Sequence, residues 1–200
     1  MRLALRSAPW RGIALGLALS ALEPAVASGF PAPELVGDFG RTLGVLGAPD
    51  EGGFSLALAA LWPAHSRARF GVMAFADDLG SRIGRLEDPN DGTDLGAVET
   101  IHRWTYGGGW RIDVGFPGRW GWDPFASGTW GAYRLEDDHR GEVSRALSSI
   151  GFSLGAGVVR PVSGRAALGV GVRYHRVFND VAGRYLSVAA QWRWGGSRGE

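Results

Sequence analysis

The stretch IHRWTYGGGWRIDVGF, residues 101–116, decides the fold class. Taken two at a time, His102, Trp104, Tyr106, Gly108, Trp110, Ile112, Val114 and Phe116 fall on one side. Ile101, Arg103, Thr105, Gly107, Gly109, Arg111, Asp113 and Gly115 fall on the other. One set is greasy and the other polar or tiny, the signature of a strand whose two faces meet different surroundings. A helix would scramble the two sets, and three consecutive glycines inside it would cost roughly 1 kcal/mol each relative to alanine.

Seven further segments repeat the pattern. The clearest are Ser149 to Val158, Ala167 to His175 and Tyr185 to Trp194, followed by Phe54 to Trp62 and Phe70 to Ala76. Trp120 to Ala132 is interrupted by Pro124, which a strand tolerates at an edge or bulge. Phe39 to Val45 carries Arg41 on its apolar side. The joins alternate in length. Short ones at 63–67, 117–119 and 160–164 would lie at one end, and longer ones at 47–53, 77–100, 135–145 and 177–183 at the other. Eight such segments predict an all-β, eight-stranded antiparallel up-and-down transmembrane β-barrel spanning 28–200.

The first 27 residues read as a signal peptide, a short helix that is not part of the barrel. Arg2, Arg6 and Arg11 form a positive start, Gly12 to Leu22 an apolar run too short to span a bilayer, and Ala25-Val26-Ala27 a cleavage site. The leader holds three arginines and one glutamate, which leaves 18 basic and 19 acidic residues, a balance that suggests no nucleic-acid partner. There is no cysteine, so an exported chain must be held together without disulfides. With 33 glycines and nine tryptophans in 200 residues and no long apolar run after the leader, the chain has no helical membrane span.

Alternation alone also fits a soluble periplasmic ligand-binding barrel with its greasy face inward. Three features favour hydrocarbon outside. The polar face is rich in Gly, Ser and Ala, which suit a narrow bore. Trp62, Phe116, Trp120, Trp122, Trp192 and Trp194 collect near the short joins, while Trp104, Tyr106, Trp130 and Tyr174 lie toward the long ones, as two interfacial girdles would. Charges avoid the middle of the greasy face, Arg41 excepted. Arg69, Arg103, Arg111, Asp113, Asp123, Arg173 and Arg193 point inward instead, where ion pairs would close the bore to solutes.

The segments GVGVRYHRVFND (169–180) and YLSVAAQWRW (185–194) resemble the C-terminal pair of the small OmpA/OmpX-type outer-membrane barrels. Trp194 occupies the terminal aromatic place recognised by the barrel-assembly machinery, although Gly195 to Glu200 follow it here. The resemblance implies location in the cell outer membrane and contact with its lipid and lipopolysaccharide. Taken with the inward ion pairs, the sequence reads as a monomer with a structural or surface-interaction role, non-enzymatic, without a cofactor and not an open pore, with the 77–100 join as the expected contact region.

Some barrels of this size are lipid A-modifying hydrolases with His beside Ser or Asp at the outer rim. His175, with Asn179 and Asp180 beyond it, has Val177 where such a serine would stand, so it reads as a bore or girdle histidine. His102, His139 and His65 read as solitary. The acidic groups Asp77-Asp78, 87–91 and Glu136-Asp137-Asp138 lack calcium-site spacing and read as solvated loop charge, with cation bridging to lipopolysaccharide as the alternative. No catalytic, cofactor or metal residues are therefore expected.

Overall fold

In the computed structural model, residues 31–43, 52–87, 94–139, 142–178 and 183–195 are described. The leader and the joins at 44–51 and 179–182 lie outside them, as do 88–91 of the second acidic group and the tail after Gly195. The strands are β1 (Glu34–Leu43), β2 (Phe54–Pro63), β3 (Ala68–Glu87), β4 (Asp94–Gly115), β5 (Asp123–His139), β6 (Glu142–Pro161), β7 (Ala166–Val177) and β8 (Gly183–Trp194). Each pairs antiparallel with the next, and β8 returns to β1, so the sheet is a closed eight-stranded barrel.

Following partners around the ring from Leu35 leads through Ala60, Val72, Trp110, Trp130, Phe152 and Arg176 to Arg184. The direct partner of Leu35 on β8 is Trp194, so closure carries a stagger of ten residues. With ordinary strand rise and spacing, that stagger tilts the strands about 40° from the barrel axis.

The short-join end is built from tight turns. β2 and β6 both end on a proline, Pro63 and Pro161, which has no N–H to leave unpaired. The turns that follow share one hydrogen-bond pattern, in which Ala64 N and His65 N donate to Ala68 O as Val162 N and Ser163 N donate to Ala166 O. Between β4 and β5, Trp120 and Gly121 both take positive φ, 57° and 78°, with Trp122 N donating to Arg119 O. This is the turn type whose twist matches a hairpin, and it normally selects Asn or Gly rather than Trp.

Three expectations need correction. The first strand starts at Glu34, five residues before the expected Phe39, because Gly37 and Arg41 interrupt its apolar side while Val36 sits among its polar residues. Arg41 consequently stands near the long-join end rather than in mid-wall, and its Nη2 donates to Gly52 O. The 77–100 join is mostly strand: β3 and β4 stay paired out to Glu87 and Asp94, with bulges after Asp78 and Arg85. β5 and β6 likewise stay paired out to His139 and Glu142. Where side chains are described, the outward face of these ribbons is polar, with Ser81, His102, Arg134 and Glu136, so backbone pairing continues where the greasy outer period has stopped. Finally, Trp120 and Trp122 belong to the turn, and Asp123 is exposed at the rim rather than inside the bore.

The interior is filled. Val36, Ala57, Ala59, Leu61, Met73, Phe75, Tyr133 and Val177 form its apolar cluster. Inward glycines make room for the rings: a Cβ at Gly151 would stand 2.9 Å from the Tyr133 ring, and one at Gly157 would stand 2.7 Å from Phe125. Each would also press on a backbone carbonyl across the sheet, of Arg176 and Val170 respectively. Replacing Gly151 or Gly157 by Ala should lower the unfolding free energy by about 1–3 kcal/mol through overpacking. Gly128 faces outward with only ordinary contacts, to Ile112 and Leu154, so Gly128→Ala should leave stability unchanged. Urea titration of the folded protein in lipid vesicles checks both.

Candidate functional site

Two regions gather the chemistry: the bore and the long-join rim. In the bore, acids and arginines form one chain of alternating sign. Arg69 Nε lies 3.0 Å from Glu34 Oε2. Glu34 Oε1 accepts from Arg193 Nη1 at 3.1 Å, and Arg193 Nη2 donates to Asp113 at 2.9 Å. Asp113 takes a two-pronged bond from Arg111, at 2.7 and 3.1 Å. Arg111 Nη1 reaches Asp38 at 3.1 Å, and Asp38 holds Arg173 Nη2 at 2.7 Å.

Gln191 ties the chain together, donating to Asp38 and accepting from Arg193 Nε, each at 2.7 Å. The Arg193 guanidinium also lies over the Phe125 ring, 4.5 Å from its centre. The links join β1, β3, β4, β7 and β8 across the barrel. Arg103 makes a separate two-pronged pair with Asp137, at 2.6 and 2.8 Å.

Of the seven inward residues singled out from the sequence, all but Asp123 are thus paired: Arg69, Arg103, Arg111, Arg173 and Arg193 with acids, and Asp113 with Arg111 and Arg193. Sequence reasoning missed Glu34, Asp38 and Gln191. The two acids were lost with the early part of β1. Gln191, although on the polar side of β8, carries no charge to attract notice.

Above the chain, Asp77 accepts from Ser55 Oγ at 2.5 Å and from Tyr185 OH at 2.6 Å. His175 is buried with its ring stacked on Tyr185, centres 4.3 Å apart, and its Nε2 3.2 Å from Ser187 Oγ. No solute could reach that pair. A cavity of about 10 Å³ beside Asp38, Phe125 and Arg173 has room for roughly one water molecule. Among the described residues no group of His, Asp and Glu is arranged to hold a metal ion.

The outer wall is the reverse of the bore. Phe39, Trp110, Trp130, Leu154, Leu168 and Val170 are all exposed there. Trp62, Trp120, Trp122, Trp192 and Trp194 lie toward the short-turn end, with Trp120 on its turn 93% exposed. Trp104 lies toward the other end, edge-on to Phe54 at 5.4 Å. Trp130 departs from the expected upper band: it pairs across the sheet with Trp110 partway up the wall, seven residues from the start of β5, whose paired length continues nine residues beyond it.

At the long-join rim the outward face turns polar. Arg134 Nε and Tyr106 OH both donate to Glu136 Oε1, at 2.8 and 2.5 Å. Arg176 and Arg184 stand directly opposite each other on β7 and β8. His102, expected to be solitary, stands between two partners: its Nδ1 is 2.9 Å from Ser81 Oγ and its Nε2 2.9 Å from Asp78 Oδ1. A strict period of two puts 78 and 81 on opposite faces, so the sequence could not pair them.

No family model and no curated protein matches the sequence. Among solved structures the chain is similar to Neisserial surface protein A, NspA, with a TM-score of 0.57 and 19% identity over 82% of this chain and 96% of that one. It is also similar to the N-terminal β-barrel domain of Pseudomonas aeruginosa OprF, with a TM-score of 0.54 and 6% identity over 83% of this chain and 98% of that one. At such identities the likeness is one of fold. The chain has the small eight-stranded barrel architecture of the OmpA/OmpX type.

Asp38 is the junction of the bore chain, so Asp38→Ala should cost about 3–5 kcal/mol by leaving the buried Arg111 and Arg173 short of a counter-charge. Arg134→Ala, which breaks a pair at the exposed rim, should cost under about 1 kcal/mol. Urea midpoints of the two variants beside wild type measure the contrast.

Proposed function

We propose that the protein is a structural and surface-interacting barrel of the cell outer membrane, monomeric and closed to solutes. The observation that carries this reading is the inverted polarity: charged pairs fill the bore and large apolar side chains cover the outside. A soluble ligand-binding barrel needs the opposite arrangement, and an apolar wall of this extent would aggregate in water. In a bilayer the same wall is solvated by hydrocarbon, and closure leaves no backbone edge unpaired within it. Trp120, held at positive φ with its ring exposed, fits an interfacial anchor at the short-turn end. No reaction is assigned to the bore, since His175 is sealed within it.

Lipopolysaccharide or another phosphate-bearing lipid is the proposed partner at the opposite rim. Arg176 and Arg184 are directly opposed like charges, an unfavourable pairing by itself. Neither has an ion-pair partner among the described residues, and a phosphate between them would turn repulsion into attraction. The β3–β4 ribbon is the proposed contact region for surface partners. The barrel-assembly machinery would be met during biogenesis.

The location is tested by fractionation with an electrophoretic heat test. The protein should require detergent for extraction and migrate faster unboiled than boiled, and recovery in the soluble fraction would refute the reading. Planar bilayers containing the protein should show no single-channel current. Added lipid A should raise the unfolding temperature of the detergent-folded protein, and this rise should vanish in the double variant Arg176→Ala, Arg184→Ala.

A further inference from the structure

The outward face of the long-join rim carries an arrangement that neither the bore nor the lipid-contacting wall requires. Ser81 Oγ, His102 and Asp78 form a connected row, with both links 2.9 Å long. We propose that this row is an acyl-hydrolase site, with Ser81 as nucleophile, His102 as general base and acid, and Asp78 as the positioning carboxylate, acting on ester-linked lipid at the membrane surface.

The backbone is shaped to build the row. A bulge after Asp78 shifts the register, so that Asp78 faces Trp104, Gly80 faces Arg103 and Ser81 faces His102. Gly80 takes a φ of 81°, in the left-handed region that glycine adopts without strain. In a regular strand Asp78 and Ser81, three residues apart, would point to opposite faces. The extra residue brings both onto the outer face beside His102 and leaves Leu79 buried inside. Gly80 N donates to Asp78 Oδ1 at 2.7 Å, which fixes the carboxylate against the imidazole.

These contacts assign the protons. Nε2–H is donated to Asp78, which leaves the Nδ1 lone pair facing the Ser81 hydroxyl. Ser81 Oγ attacks the ester carbonyl as His102 Nδ1 takes its proton. The tetrahedral intermediate expels the alcohol, which leaves with that proton, and the acyl group stays on Ser81. Water then attacks the acyl-serine, His102 takes the water's proton, and the carboxylic acid departs as Ser81 Oγ recovers it. Water is the only co-reactant.

The surroundings select the substrate class, and this part rests on the membrane reading above. The His102 ring lies 5.4 Å from Trp104, which is itself 5.4 Å from Phe54, so the row borders the aromatic edge of the wall. Arg41 stands beside Phe54 in register and faces outward. An ester of a lipid with an anionic headgroup, its acyl chain against the wall, matches that combination. The His102 side chain is about one-third exposed, so substrate can reach it, unlike His175.

A fluorescent fluorophosphonate, which forms adducts only with activated serines, tests the chemistry on the detergent-folded full chain. Peptide mapping by mass spectrometry should place one adduct on Ser81. The adduct should be absent in Ser81→Ala and form at least a hundredfold more slowly in His102→Asn. Ser66 lies 3.0 Å from His65 Nδ1 at a turn, so Ser66→Ala controls for mere proximity to a histidine and should label normally. Hydrolysis of a long-chain p-nitrophenyl ester should fall roughly 10³- to 10⁴-fold in Asp78→Asn through kcat, with KM unchanged. No adduct on Ser81, or undiminished hydrolysis in Ser81→Ala, would overturn the proposal. The electrophoretic heat test is run on the same samples, so a protein that folds as a membrane barrel but leaves Ser81 unlabelled fails this inference alone.

Discussion

Closure at a stagger of ten residues governs everything else in this molecule. Eight tilted strands enclose a bore only wide enough for side chains, and no water column is available to solvate charges placed there. Inward charges must therefore be met from neighbouring or facing strands, by an opposite charge or, at Asp77, by the hydroxyls of Ser55 and Tyr185. The chain from Arg69 through Glu34, Arg193, Asp113, Arg111 and Asp38 to Arg173 is how this sequence does so. The same narrowness explains the glycines opposite Phe125 and Tyr133, since two large groups cannot occupy one level of the bore.

Because the bore absorbs the polar side chains, the wall is left uniformly apolar. Every tryptophan among the described residues faces outward. Such a surface is stable only against hydrocarbon, which makes sheet closure and membrane setting two aspects of one constraint. The rims are where the constraint relaxes. At the short-turn end it gives way to tight turns edged with tryptophan, and at the other end to paired ribbons whose outward face is polar at Ser81, His102, Arg134 and Glu136. Chemistry that needs water and exposed side chains has room only there, which is where Ser81, His102 and Asp78 lie.

The sequence revealed much of this where one face met hydrocarbon, because a period of two survives any tertiary detail. The wall residues of β4, β7 and β8 and the six inward charges of the bore were legible on that basis. Legibility failed where the sequence no longer alternates cleanly between apolar and polar residues. The sequence beyond Asp78 mixes Leu79 and Ile83 with Ser81 and Arg85 at one parity and so reads as loop. β1 mixes Val36 into its polar set and Gly37 and Arg41 into its apolar set, which hid Glu34 and Asp38. The partners of His102 were invisible for a sharper reason: a single bulge breaks the parity by which faces are assigned.

The most direct test of the inverted barrel uses its own tryptophans as depth gauges. The protein is reconstituted into vesicles whose acyl chains carry bromine either near the bilayer centre or near the headgroups, and the quenching of tryptophan fluorescence is measured. Trp110 and Trp130, partway up the wall, should make centre-brominated lipid a strong quencher of wild type, and much of that quenching should disappear when both are replaced by Phe. Fluorescence indifferent to bromine at either depth would place the tryptophans away from lipid and contradict the account.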